Sequence, residues 1–266
     1  MNELSNTLRR LVVRVGQGSL MFSTTDNQGQ VDFEHFPITS SITMAANLRQ
    51  ALQTSNLLRE QYQRTLVMVD SPVLMVPSDL FHKEEQEALY HHAFTLREHH
   101  SVMSTILPDL NCVALFSIGR DLLTVINDHL AHPTVIAAMA PVWRHMHQRS
   151  YTGIHQKLYG YFHDHRLEVF SFGKNRFRFC NTYAANNSNN ALYFLLAAWK
   201  QLGMEPDHDE LHLVGTLPDE EALMGEAKKF VKRVFYINPT GEFNRAPVTQ
   251  IAGMPYDLMT LYVKGR

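Results

Sequence analysis

The segment Gly16-Gln17-Gly18-Ser19, with Arg14 two residues ahead of it, has residue types that could cradle an anion. Residues without a Cβ let backbone N–H groups approach a phosphate, and a guanidinium beside them supplies charge. A glycine-rich hairpin turn with an exposed Arg14 explains the same residues without a ligand, its two glycines permitting positive φ, and this is the reading expected. If a phosphate binds there, Arg14 has to supply the charge that a metal ion otherwise brings. Histidine is abundant, 15 in 266 residues, and comes in pairs. His163 and His165 share a face only if a strand runs through both. His145 and His147 point to different faces of a helix, and His91-His92 and His99-His100 are adjacent, which suits chelation poorly. There is no H-E-x-x-H and no Cys/His quartet at zinc spacing, so core or surface histidines are expected and no metal site is assigned. No G-x-S-x-G elbow exists, and Cys112 and Cys180 have no catalytic signature around them, so no catalytic residue is assigned. Lys228, Lys229, Lys232 and Arg233 form a patch for an anionic partner or, as expected here, complement the end of a helix.

The elements that position these residues follow from periodicity. Leu11–Val15 alternates as a strand, Leu20–Thr24 is a second, and Val31–Phe36 a third, joined by turns at 16–18 and 26–29. Thr43 caps a helix carrying Met44, Leu48 and Leu52. Thr65–Val69 is a buried strand, Asp70-Ser71-Pro72 interrupts it before Val73–Val76, and a helix is expected from Ser78 or Asp79 to about Phe94. The stretch 99–109 reads as loop. A strand from Cys112 to Ser117 and helices over 120–130 and from Ala140 come next. The order then repeats: strands at 158–162, 167–172 and 176–179 with turns at 163–165 and 173–175, and a polar hinge over Asn186–Asn190. Ser188 or Asn189 caps a helix through Leu192, Leu195, Leu196 and Trp199, apolar almost all round, which Gly203 ends. Leu211–Val214 is the next strand. A helix with Leu223, Ala227, Phe230, Val231 and Val234 on one face completes the pattern. The helices near 43 and 188 and the strands near 66 and 211 share an offset of 145 residues, so three-stranded meander, helix, strand, helix occurs twice. Two domains are expected, 1–140 and 141–266, in an α/β chain of α+β layers.

Composition narrows the function. With 45 % hydrophobic and 19 % charged residues the chain has ample core, which excludes disorder. A formal charge of −2 gives no basic excess, so no nucleic-acid partner is expected. Two distant cysteines fit a reducing compartment. The polar segment 1–10 precedes an apolar run too short for a leader, and no stretch approaches the roughly 20 apolar residues of a membrane span. A cytoplasmic protein is expected.

A duplicated β-β-β-α-β-α unit, of the RNase H-like kind, is the plan of the two-lobed actin-like ATPase fold of actin, sugar kinases and DnaK-type chaperones. The chain also resembles a bacterial family of unknown function with that fold, found in Bacteroidetes. The resemblance is carried by Leu11–Ser23, Phe179-Cys180-Asn181-Thr182-Tyr183, Ala191–Leu196 and Leu211-His212-Leu213-Val214-Gly215, and covers nearly the whole chain. It implies an interlobe nucleotide cleft in which a hairpin from each half presents Asp-x-Gly to the phosphates and Mg²⁺. Here the first hairpin reads Arg14-Val15-Gly16. The second, Gly160–His165, holds no Asp-x-Gly, with Asp164 in the turn itself. The nucleoside-side loop has a single Gly215 followed by Thr216. The residues matching the cleft are therefore Arg14, Gly16, Gln17, Gly18, Ser19, Asp164, Gly215 and Thr216. The expectation is a binding or scaffolding module that does not hydrolyse nucleotide and docks a protein partner. No cofactor is expected, ATP being the one candidate. The alternative is an ATP-binding or kinase-like enzyme that uses Asp26, Asp70 or Asp164.

Overall fold

The computed structural model describes residues 9–26, 28–95, 98–173 and 176–265. Asn27, Lys174 and Asn175 of the expected turns, and residues 1–8 of the polar opening segment, lie outside the described residues. The chain divides into two compact units: Met1–Ile106, Val113–Ala140 and Ile251–Gly253 make the first, and Leu107–Cys112, Pro141–Gln250 and Met254–Arg266 the second.

In the first unit β1 (Arg10–Val15), β2 (Ser19–Thr25) and β3 (Val31–Pro37) form an antiparallel meander. Helix α1 (Met44–Thr54) crosses to β4 (Arg64–Val69), which lies parallel to β1 with Val15 opposite Val69. After β5 (Val73–Pro77), α2 (Gln86–Ala93), β6 (His100–Leu107), β7 (Cys112–Gly119) and α3 (Arg120–His129), strand β8 (Pro133–Ala137) joins the other side of β4. The sheet order is β3-β2-β1-β4-β8, and β5-β7-β6 form a separate small sheet. Central strands buried on both faces read as continuous apolar runs, as Leu11-Val12-Val13 and Leu66-Val67-Met68 do. Helix α1 buries Ala45, Leu48 and Ala51 and packs against α3. Thr43 caps α1 as expected, accepting from the Ala46 N–H at 3.2 Å. The small sheet packs Val76, Val102, Val113 and Leu115 around Tyr90 of α2.

Three expectations need correction in this unit. The stretch 99–109 is largely strand β6. Its polar inside position Thr105, which accepts a hydrogen bond from the Ala137 N–H at 3.0 Å, breaks the apolar alternation that would have marked it. The helix expected from Ser78 begins only at Gln86, after two short 3-10 turns. The stretch between the helices expected over 120–130 and from Ala140 holds strand β8, which begins at Pro133; an edge strand tolerates proline at its first position.

After α4 (Ala140–Ser150), the second unit contains β9 (Lys157–His163), β10 (Arg166–Gly173), β11 (Arg176–Ala184), α5 (Ser188–Gln201), β12 (Glu210–Gly215), α6 (Glu220–Ala227), β13 (Arg233–Tyr236), α7 (Pro239–Glu242) and α8 (Tyr256–Lys264). Its sheet order, β11-β10-β9-β12-β13, matches the first sheet position for position, with the same antiparallel and parallel pairs. The two faces of this sheet differ. Leu158, Phe162, Leu167, Leu211 and Leu213 form an aliphatic layer with Leu195 and Trp199 of α5 and Leu223 of α6. A Cβ on Gly160 would come within 2.9 Å of Leu213 and 3.2 Å of Leu195, so this glycine lets α5 seat closely. The alternate residues, Tyr159, Tyr161 and His163 on β9, Glu168 and Phe170 on β10 and His212 on β12, are buried on the other face.

Here too the sequence reading is revised. Asn187, one residue earlier than expected, caps α5 by accepting from the Asn190 N–H at 2.9 Å. Helix α5 is not covered all round, since Tyr193 is 68 % exposed. The helix expected to reach Val234 stops at Ala227, because the Val-Phe-Tyr run pairs with β12 as β13. The spacing of Val231 and Val234 fits a helix period by coincidence.

A buried amide ties α1 to the hairpin of interest. Asn47 accepts from the Thr39 N–H at 2.7 Å and donates to Thr39 O and Thr43 O at 3.1 and 3.0 Å, while the Ile38 N–H donates to Gly18 O at 3.4 Å. Removing it leaves the Thr39 N–H and the Thr39 and Thr43 carbonyls without this partner. Asn47→Ala is expected to lower stability by about 1–3 kcal/mol in chemical denaturation.

Candidate functional site

The residues matching a nucleotide cleft fall into two groups, one in each unit. In the first, Gly16–Ser19 joins β1 to β2, closed by the Gly16 N–H donating to Ser19 O at 2.9 Å. Gln17 and Gly18 form the exposed tip. Gly18 has no left-handed φ and nothing within 4 Å of where a Cβ would stand, so the turn does not demand the glycine expected there. Arg14 departs from the expectation further: it is only 1 % exposed, inside the sheet between Met21 and Met68 in register. A guanidinium withdrawn from water must be partnered, and Arg14 has such an interaction. At the next strand end, the Asp70 N–H donates to Val15 O at 2.9 Å, which sets Asp70 beside the hairpin.

The second group repeats this arrangement. The Thr216 N–H donates to Phe162 O at 3.0 Å, as Asp70 does to Val15. Gly215 has φ +96°, and a Cβ on it would lie 2.0 Å from Phe162 O, so only glycine fits. The Tyr236 hydroxyl donates to Gly215 O at 3.2 Å and braces the corner. Asp164 and His165, with φ 45° and 61°, form the turn between β9 and β10. Two successive positive φ values are the type I′ pattern, here built from Asp and His, which tolerate it better than most side chains. His163 ends its strand and His165 lies in the turn, so the two do not share a strand face.

Around this turn lies a cluster that sequence reasoning missed. His163 Nδ1 is 3.6 Å from Asp164 Oδ2, and its Nε2 is 3.6 Å from Glu168 Oε1. Glu168 also accepts from the Thr182 hydroxyl at 2.6 Å, and the Tyr161 ring stacks on the imidazole at 4.7 Å. An imidazole between two carboxylates can hold or pass a proton. The signal available was Glu168, an acid inside the apolar run Leu167–Phe172.

The same face of the sheet carries further buried charge. His145 Nε2 lies 2.9 Å from Glu242 Oε1, and Arg149 donates to the other oxygen. The His145 hydrogen bond, with Arg149 beside it, outweighs burial and holds the Glu242 carboxyl below its usual range. His212 Nε2 meets Glu210 Oε2 at 2.9 Å, yet burial keeps the imidazole below its ordinary value. Burial lowers His147 likewise. Lys157, also lowered by burial, donates to Arg149 O at 3.3 Å, to Thr152 O and to Thr152 Oγ1 at 3.0 Å, closing the end of α4 with a buried ammonium. Burial pushes the Cys112 thiol up to about 11 and Cys180 up as well, so neither is a ready thiolate.

Known proteins share this fold. A family model described as "Protein of unknown function (DUF3822)" matches residues 2–234. The chain belongs to the DUF3822 family. A solved Bacteroides thetaiotaomicron protein of unknown function with an actin-like ATPase fold is 26 % identical over 98 % of both chains, with a TM-score of 0.87. The DUF3822 chain therefore has the actin-like ATPase fold. The PilM–PilN type IV pilus biogenesis complex matches it at a TM-score of 0.57 and 11 % identity, over 96 % of this chain and 97 % of the other, a likeness of fold alone. No curated protein matches. Among the described residues, no helix is long and apolar enough to cross a membrane.

Two outcomes test this geometry. Gly215→Ala is expected to destabilise by more than about 1–3 kcal/mol, the cost of left-handed strain before any clash is counted. Gly18→Ala is expected to stay within about 0.5 kcal/mol of wild type, as an exposed and unconstrained position should. Thermal denaturation of both variants distinguishes the two corners. Acid should also destabilise the protein. His147 and His212 bind protons less readily folded than unfolded, so stability falls as pH drops below about 6.5. Glu242 adds to the loss below its ordinary value of 4.5, where the unfolded chain takes up a proton first. A melting temperature that falls from pH 7 to pH 5, with a shallower fall in His212→Gln, is expected.

Proposed function

We propose that this DUF3822 protein is an actin-like binding or scaffolding module that docks a protein partner and does not turn over Mg-nucleotide. The observation that carries this reading is the first hairpin. Its residues 14–19 contain no carboxylate, and the one charged side chain, Arg14, is buried in the sheet. A hydrated Mg²⁺ beside a triphosphate needs acidic oxygens with an open face. Asp26, one of the substitute acids, is engaged by its own turn, accepting from the Gln28 and Gln30 N–H groups at 2.8 Å each. The repeated strand order supports descent from a duplicated RNase H-like unit and lobes near 1–140 and 141–266. The near-neutral charge supports a protein partner over a nucleic acid, and we place the protein in the cytoplasm. That the same fold occurs in the PilM–PilN complex is in keeping with protein docking; the analogy is one of fold.

A second reading, an ATP-binding or kinase-like enzyme, draws on Asp70 and Asp164, each set by its backbone at a strand end. Thermal shift separates the two. A ligand at 100 times its dissociation constant adds about 2.7 kcal/mol of stability. The expected result is an unchanged melting temperature with millimolar Mg-ATP. A Mg-dependent rise that Asp164→Ala or Asp70→Ala abolishes would establish the second reading instead.

A further inference from the structure

Four rings stand in one row across the ionisable face of the second unit's sheet. Phe170 of β10, Tyr159 of β9, His212 of β12 and Phe235 of β13 are direct neighbours in register. Their centroids are successively 5.5, 5.5 and 5.0 Å apart, with interplanar angles of 17°, 33° and 25°. The row stops where the sheet stops. Strand β13 is the last in the order, and Phe235 remains 43 % exposed. The Ile237 N–H donates to Leu213 O at 2.8 Å. Backbone groups alternate between the two edges of a strand, so Phe235 faces β12 with its N–H and C=O while Val234 and Tyr236 turn theirs to the open edge.

Charge accumulates beside that edge. Residues 228–236 carry four cations and no acid. Lys229 pairs with Glu226 at 2.6 Å, and Arg233 stands 3.8 Å from Glu210. Among the described residues, no acid pairs with Lys228 or Lys232, both exposed, and Phe230 between them is 53 % exposed. We propose that the open edge of β13 docks an acidic, aromatic-bearing peptide strand of a partner protein. Its backbone pairs with Val234 and Tyr236, its aromatic residue continues the ring row beyond Phe235, and its carboxylates meet Lys228 and Lys232. Strand addition takes affinity from the backbone and specificity from side chains. A short edge guarded by lysines repels basic strands and discourages another copy of itself. The same guard becomes an attraction for an acidic strand, so one feature supplies both selection and exclusion.

This inference rests on the binding-module reading and gives it a surface, and the two are tested separately. Mg-ATP thermal shift reports on the nucleotide, whereas titration with a peptide reports on the edge. The probe is a fluorescein-labelled peptide of roughly eight residues, alternating glutamate with tryptophan and valine. One control replaces glutamate by lysine, and a second methylates alternate amide nitrogens so that the backbone cannot pair. Binding of the acidic peptide is expected, weakened by about tenfold or more in each control and in the Lys228→Glu/Lys232→Glu double variant. Phe235→Ala should weaken the tryptophan peptide more than one with alanine in its place. The comparisons between peptides need no altered protein, so a poorly folded variant does not blunt them. Failure of the acidic peptide to bind overturns the proposal. So does equal binding of the methylated peptide, which would mean charge attraction without strand pairing.

Discussion

One backbone hydrogen bond, made twice, fixes where any chemistry in this fold could sit. In each unit the chain leaves the parallel crossover strand and immediately donates an N–H to a carbonyl at the end of the central strand: Asp70 to Val15, and Thr216 to Phe162. That bond aligns the two strand ends and constrains the residues at the corner. In the second unit it brings the backbone so close that Gly215 admits no side chain. In the first the position equivalent to Gly215 is Val69, opposite Val15, and it carries a side chain. Two corners of one design thus carry different residues because only one is sterically saturated.

The sheet of the second unit shows how the interior divides its work. Its aliphatic face, from Leu158 to Leu213 and out to Trp199, supplies non-directional burial. Its other face buries His145, His163, His212, Lys157 and Glu168. Buried ion pairs recover their desolvation cost only in good geometry, so their contribution to net stability is small while their directionality is high. Glu242 held by both His145 and Arg149 fixes α7 against α4, and the Lys157 ammonium fixes the end of α4. Four of the 15 histidines, His145, His147, His163 and His212, are buried in this unit, whereas nine are exposed.

Much of the architecture was legible because period-2 alternation and caps are local signals. Thr43, the meanders, the Asp70-Ser71-Pro72 break and the strand at 211–214 all stand where alternation and turn chemistry put them. What escaped were elements whose evidence is not local. Strand β6 hides behind Thr105, whose hydroxyl is satisfied by a residue 32 positions away. Strand β13 was absorbed into a helix because Val231 and Val234 keep a helical spacing although they pack through a turn and a sheet edge. At the site, the glycines were legible and their purpose was not: Gly18 proved unconstrained and Gly215 indispensable, a difference decided by a carbonyl 53 residues earlier in the chain. Burial of Arg14 was equally invisible, since an arginine in an alternating strand is ordinarily read as facing water.

That buried arginine bears on what the first sheet of this actin-like chain tolerates at its hairpin. The contacts that hold each unit are strand pairing, the strand-end hydrogen bonds and, in the second unit, the two packed faces of one sheet. An acid at position 14 would have to be buried where Arg14 now is, against the apolar strands β2 and β4, and it would lose the interactions that compensate the guanidinium. Placing an acid there would therefore oppose the folding of the sheet itself. The surfaces left free to diversify are the sheet edges and exposed turns, which is where side-chain chemistry can change without disturbing either core.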